Sequence, residues 1–118
     1  MPDHSILVID DDPAILITVA DILEDEGYPV TTAANGAEGL RLLDQARPAL
    51  VLLDMRMPVV DGWQFARTLS ERGIALPIVV MTAAQDARRW AQEIGAAGYL
   101  AKPFELSDLI ETVRRLHG

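Results

Sequence analysis

Apolar residues along this chain follow two alternating rhythms: short unbroken runs, and longer stretches in which they recur every three or four positions. Ile6-Leu7-Val8-Ile9 is the first run, and Asp10-Asp11-Asp12 ends it. A short apolar run bounded by polar residues predicts a strand buried on both faces. Asp12-Pro13 then predicts a helix start, with the aspartate as cap and the proline in the first turn. Leu16, Val19, Ala20 and Leu23 follow at helical spacing until Gly27 closes the segment. Pro29-Val30-Thr31-Thr32-Ala33 reads as a second, shorter strand. Asn35-Gly36 opens a helix striped by Ala37, Leu40 and Leu43, and Pro48 ends that region.

The most informative stretch is Val51-Leu52-Leu53-Asp54-Met55-Arg56-Met57-Pro58, followed by Asp61-Gly62. A third strand, Leu50 to Leu53, feeds a single aspartate, a loop and an Asp-Gly turn. Phe65, Ala66 and Leu69 define the next helix, closed by Gly73; Pro77-Ile78-Val79-Val80-Met81 is a fourth strand ending at Thr82. Ala87, Trp90, Ala91 and Ile94 stripe a fourth helix closed by Gly95. Gly98-Tyr99-Leu100-Ala101 is a weak strand, expected at a sheet edge, leading into Lys102-Pro103-Phe104. The last helix carries Leu106, Leu109, Ile110, Val113 and Leu116.

Five strands alternating with five helices imply right-handed crossovers and an α/β parallel sheet covered on both faces. Parallel strands point their carboxyl ends to one edge, where open α/β sheets place their ligands. Asp10, Asp11 and Asp12, then Asp54, Thr82 and Lys102, stand at such ends and converge although they are distant in sequence.

Composition narrows the field. A chain of 118 residues, half of them hydrophobic, predicts one domain over 1–118 with its own core. A formal net charge of −8 opposes direct binding of nucleic acid or of an anionic membrane. The absence of cysteine excludes disulfides, thiolate metal sites and cysteine nucleophiles, and is compatible with a reducing cytoplasm. No apolar stretch approaches the ~20 residues that span a bilayer, and Met1-Pro2-Asp3-His4-Ser5 lacks the basic region of a signal peptide. The expectation is a cytoplasmic protein.

Clustered carboxylates repel: at ~5 Å and an effective dielectric near 20, each charged pair costs on the order of 3 kcal/mol. A hard divalent cation resolves that conflict, because Mg²⁺ prefers oxygen ligands. Lys102 offers a point charge and Thr82 a hydroxyl, both suited to phosphate. A carboxylate nucleophile, a metal, an ammonium and a hydroxyl are the parts needed to phosphorylate an aspartate. Taken singly each residue has an ordinary reading: Asp12 as a helix cap, Thr82 as a strand end, Lys102 as a solvated surface residue. The joint placement points to chemistry.

Ile6-Leu7-Val8-Ile9-Asp10-Asp11-Asp12, Leu53-Asp54-Met55-Arg56-Met57-Pro58 with Asp61-Gly62, Val80-Met81-Thr82-Ala83 and Tyr99-Leu100-Ala101-Lys102-Pro103-Phe104 together resemble a response-regulator receiver domain of two-component signalling, over essentially the whole chain. The resemblance implies a flavodoxin-like, doubly wound sheet of strand order 2-1-3-4-5, the order of chemotaxis receivers. It implies that Asp54 accepts a phosphoryl group from a histidine kinase or phosphotransfer protein. It also implies Mg²⁺ held by Asp11 and Asp54 directly, by Asp10 through water and by the backbone carbonyl of Arg56. Lys102 would pair with the phosphoryl group, through a cis bond to Pro103. Thr82 and Tyr99 would be the switch pair, repacking the face of the fourth helix, fifth strand and fifth helix.

Two further positions set the phosphoryl lifetime in such domains. Arg56 is placed to screen the group from water, and Ala84 offers nothing to orient water, so slow self-dephosphorylation is expected. The chain contains no output domain, so it either acts alone or was cut from a longer protein. Ala97 and Gly98 replace the acidic residues through which many receivers of winged-helix DNA binders dimerise. The expectation is therefore not an enzyme but a phosphoacceptor that assists its own chemistry.

Trp90 is read as packing, His4 and His117 as surface residues, and Arg88, Arg89, Arg114 and Arg115 as a solvated face. The main alternative is a Mg²⁺-dependent phosphohydrolase of the haloacid dehalogenase type, with Asp10 as nucleophile. Against it, Ala14 stands where that motif needs threonine or valine, and no acidic pair follows Lys102. Flavin binding fails because three aspartates occupy the loop that would hold phosphate.

Overall fold

The computed structural model describes residues 4–117; the opening Met1-Pro2-Asp3 lies outside them. Strands β1 (Ile6–Ile9), β2 (Val30–Ala33), β3 (Leu50–Asp54), β4 (Ile78–Ala83) and β5 (Gly98–Lys102) alternate with helices α1 (Pro13–Asp25), α2 (Gly36–Leu43), α3 (Gly62–Glu71), α4 (Ala84–Ile94) and α5 (Leu106–His117). The strands form one sheet in the order β2-β1-β3-β4-β5, as expected. Every neighbouring pair is parallel, with Ile9 beside Leu53, Asp54 beside Met81 and Ala83 beside Lys102.

Strand periodicity divides the core in two. Leu7, Ile9, Val51, Leu53 and Val80 face α2, α3 and α4, where Leu43, Phe65, Leu69 and Trp90 cover them. Ile6, Val8, Leu50, Leu52, Val79 and Met81 face α1 and α5 across Val19, Leu23, Leu109 and Val113. The unbroken apolar runs follow from this, because β1, β3 and most of β4 are buried on both faces.

The helix starts are as the sequence implies. The Asp12 side chain accepts the Ala14 N–H with Pro13 in the first turn, and the Asn35 side chain accepts the Glu38 N–H. Gly27, Gly73 and Gly95 follow α1, α3 and α4 with positive φ.

Two stripe residues were misplaced. Ala37 is exposed, and the buried line of α2 is Gly36, Gly39 and Leu43. Its first two members are glycines because a Cβ on Gly39 would lie 2.5 Å from Ile9 Cδ1, and one on Gly36 would lie 2.5 Å from the Val60 carbonyl oxygen. An apolar-residue count misses a helix that packs through its backbone. Leu106 is also exposed, since it opens α5 before that helix settles onto the sheet, where Leu109 is the first buried residue.

The loop after β3 contains the single non-glycine positive φ among the described residues, Val59 at 71°. A β-branched residue is poorly suited to that region, and Val59 is 78% exposed, so packing does not offset the strain. Val59→Gly is expected to raise stability by about 1 kcal/mol. A urea midpoint that stays put or falls in the variant would show the strain to be absent.

Candidate functional site

The carboxyl ends of β1, β3 and β5 bring Asp10, Asp11, Asp54 and Lys102 together. Asp10 follows β1 and is fully buried; Asp54 ends β3 at 6% exposure. Asp11, on the loop above, is exposed. One carboxylate oxygen from each of the three lies within 4.8 Å of the others. Lys102 Nζ donates to Asp10 Oδ2 at 2.7 Å and stands 3.8 Å from Asp54 Oδ1. The other Asp10 oxygen, Oδ1, accepts the Asp12 backbone N–H at 2.9 Å. The peptide bond between Lys102 and Pro103 is cis, as the receiver-domain resemblance implied.

These contacts give the two buried aspartates different characters. Asp10 has a partner on each oxygen. Asp54 accepts a weak hydrogen bond, 3.3 Å, from the Arg56 backbone N–H and sees Lys102 at longer range. Burial pushes the Asp54 carboxyl up to about 7; the charge of Asp10 adds to the rise, Lys102 and the Arg56 N–H oppose it, and Asp11 contributes slightly. The cluster therefore holds more negative charge than Lys102 balances. Its donors are carboxylate oxygens, with no cysteine available, which is a set suited to a hard divalent cation.

The remaining sequence candidates flank this centre. Thr82 is buried on β4, one residue beyond the Asp54–Met81 register pair. Tyr99 lies on the edge strand β5, beside Val80 and 46% exposed. Ala84 opens α4 and is exposed. The backbone of Arg56 is at the site, but its guanidinium lies over the Trp90 ring, 5.3 Å from the centroid. Trp90 itself is buried, as expected of a packing residue, and meets Trp63 edge to face at 4.9 Å.

Sequence reasoning missed two things here. Arg56 and Trp90 are 34 positions apart, and no short-range pattern announces their contact. Gly62 was read as half of a turn. It opens α3 after the Asp61 cap, and its N–H donates to the Met55 carbonyl at 3.0 Å, so α3 begins against the backbone beside Asp54. His4 and His117 stand away from the site, where His117 Nε2 lies 2.7 Å from the His4 carbonyl oxygen. Arg89 pairs with Asp86 and Arg114 with Glu26, while all four side chains keep solvent contact.

The model of the response regulator receiver domain matches residues 6–114. Sporulation initiation phosphotransferase F of Bacillus subtilis is 32% identical over 117 residues, covering 98% of this chain and 94% of that protein. The DNA-binding dual master transcriptional regulator RpaA of Synechocystis is 39% identical over 115 residues, which are 94% of this chain and 48% of RpaA. The chain thus spans about half the length of some curated relatives and nearly all of another. Chemotaxis protein CheY4 of Vibrio cholerae superimposes with a TM-score of 0.86 at 31% identity, over 98% of this chain and 99% of that one. The receiver domain of NtrX from Brucella abortus gives 0.88 at 30% identity, over 96% and 98%.

This chain belongs to the response regulator receiver domain family. Such domains are signalling modules of two-component systems rather than conventional enzymes, and phosphorylation of an aspartate is characteristic of them. They work with histidine kinases and output domains. Among the described residues no helix is long and apolar enough to cross a membrane.

Proposed function

We propose that this chain is a phosphorylation-dependent switch in which Asp54 takes a phosphoryl group from the phosphohistidine of a histidine kinase or phosphotransfer protein. The observation that carries the reading is the contrast between the two buried aspartates. Asp10 has both oxygens engaged, whereas Asp54 sits at the open end of β3 with a loosely held carboxylate. An Asp54 oxygen attacks phosphorus, the P–N bond breaks, and the imidazole leaves with its nitrogen free to take a proton. Lys102 moves its ammonium toward the phosphoryl oxygens from its present place between Asp10 and Asp54.

Asp10, Asp11, Asp54 and the Arg56 carbonyl would hold Mg²⁺, with Asp10 acting through water. When bound, Mg²⁺ neutralises the carboxylates, keeps Asp54 ionised and balances charge on the phosphoryl oxygens. Ala14, Ile15 and Phe104 line a shallow apolar groove beside Lys102. A partner bringing phosphohistidine to Asp54 has this surface to rest on. After transfer Thr82 donates its hydroxyl to the new acceptor oxygens, and Tyr99 turns inward from the edge strand. Output passes to an unidentified partner protein or to an output domain outside this chain. The acidic chain has no charge complement for nucleic acid or an anionic membrane, and a cytoplasmic setting fits the kinase partner.

The hydrolase alternative would need Asp10 as nucleophile, and its two engaged, buried oxygens disfavour that. Wild type, Asp54→Asn and Asp10→Asn, each incubated with acetyl phosphate with and without Mg²⁺, separate the readings by intact mass. One phosphoryl adduct that needs Mg²⁺ and disappears in Asp54→Asn is expected. An adduct that survives Asp54→Asn and is lost in Asp10→Asn would replace this reading with the hydrolase.

A further inference from the structure

Trp90 carries two guanidinium groups. Arg56 lies 5.3 Å from the ring centroid and Arg89 lies 5.9 Å from it. They are not equivalent. Arg89 is tied to Asp86 Oδ1 at 2.8 Å, one turn back on its own helix. Arg56 takes part in no ion pair among the described residues, and its side chain is exposed. Among the described residues the cation–π contact alone holds its guanidinium, against repulsion from the second arginine on the same indole. The indole is fixed: it is buried, meets Trp63 edge to face, and Trp63 Nε1 donates to Glu93 Oε1 at 2.9 Å.

Arg56 is therefore a loosely held cation two residues from the acceptor, with its backbone N–H bonded to Asp54 Oδ1. Phosphorylation converts a carboxylate of one negative charge into an acyl phosphate of nearly two. Lys102, moving toward the phosphoryl oxygens, brings one positive charge against nearly two and leaves Asp10 behind, so the remaining negative charge acts on Arg56. A direct charge–charge attraction at the rim of the site outweighs an exposed cation–π contact.

We propose that Trp90 is a positioning residue that parks Arg56 beside the acceptor site, and that phosphorylation of Asp54 draws the guanidinium off the indole and over the phosphoryl group. The α3–α4 face then carries a phosphorylation signal separate from the Thr82–Tyr99 route. The same movement covers the phosphoryl group, which is how an arginine that rests elsewhere in the unphosphorylated chain slows its hydrolysis. This inference rests on Asp54 being the acceptor.

The chain has two tryptophans, so Trp63→Phe leaves Trp90 as sole indole emitter. In that background, Trp90 emission is recorded before and after acetyl phosphate and Mg²⁺, with intact mass reporting the adduct, for Arg56, Arg56→Gln and Arg56→Lys. The expected result has three parts. Phosphorylation shifts Trp90 emission in the parent. Arg56→Gln has the shifted emission already, before any phosphodonor, with no further change. Arg56→Lys restores a response.

An Arg56→Gln emission equal to the parent's before phosphodonor would overturn the parking contact. A parent adduct without any emission change, or a full response in Arg56→Gln, would overturn the movement while leaving Asp54 as acceptor. No adduct in any variant would remove the acceptor reading, and this proposal with it.

Discussion

At pH 8 and without metal, Asp54→Asn is expected to be more stable than wild type by roughly 2–4 kcal/mol, a large share of a small domain's stability. The cause is the buried carboxylate, whose proton is held up to about pH 7 against an ordinary value of 3.8. Below that ordinary value both the folded and unfolded chains carry the proton, and the group contributes no difference. Between the two values the unfolded chain ionises while the folded chain stays protonated, so stability falls as pH rises. Above about 7 the folded chain ionises too, and the penalty is complete and constant.

The asparagine removes this titration. The gap between variants should therefore be near zero at pH 4, grow through pH 6 and level off above 7. Mg²⁺ should stabilise wild type at pH 8 and narrow the gap, because a cation that binds the folded site acts by mass action. Urea melts in chelator at these pH values measure it. Equal stability of the two proteins at pH 8 would mean that the carboxylate is not strained by its surroundings.

Gly62→Ala is the second large effect, expected at about 3 kcal/mol of destabilisation. A Cβ there would lie 2.4 Å from Met55 Sδ and 2.7 Å from Met55 Cα, and the second atom is backbone that cannot swing away. Gly73→Ala offers the comparison at the other end of the same helix: its φ is +69°, yet its Cβ would meet nothing within 4 Å, so it bears only conformational strain of about 1 kcal/mol. Relief of the Gly62 clash pushes on Met55, and hence on Asp54 and Arg56 either side of it. Phosphorylation of the surviving folded fraction should slow as well. Thermal melts of both variants test the order; a Gly62 variant no less stable than the Gly73 one would show that α3 can back away freely.

Those two glycines mark where the sequence was legible and where it was not. The α/β class, all ten elements and the strand ends that build the site follow from period, caps and closing glycines, because each is a local signal. Asp10, Asp11, Asp54 and Lys102 were legible as a group because parallel strands oblige their carboxyl ends to meet. Gly62 was legible only as a turn former, since close backbone approach is a property of two elements together. The same holds for Gly36 and Gly39, which carry the buried line of α2 in place of Ala37. Arg56 over Trp90 depends on side-chain packing between a loop and a helix from opposite halves of the chain, and nothing local encodes it.

The bond from Lys102 to Asp10 spans 92 positions, and β5 reaches the sheet only by pairing with β4. A growing polypeptide can thus carry four of the strands while the buried Asp10 carboxylate still has no counter-ion. Such a species keeps an uncompensated charge in its interior until the final strand docks. The strand itself pairs with its sequence neighbour β4, but its lysine reaches Asp10 across β3 and β4, so the contact closes only on a sheet in which those strands are aligned. On the proposed function, the ammonium that completes the site is thus contributed by the last strand of the sheet, and a chain lacking β5 lacks it.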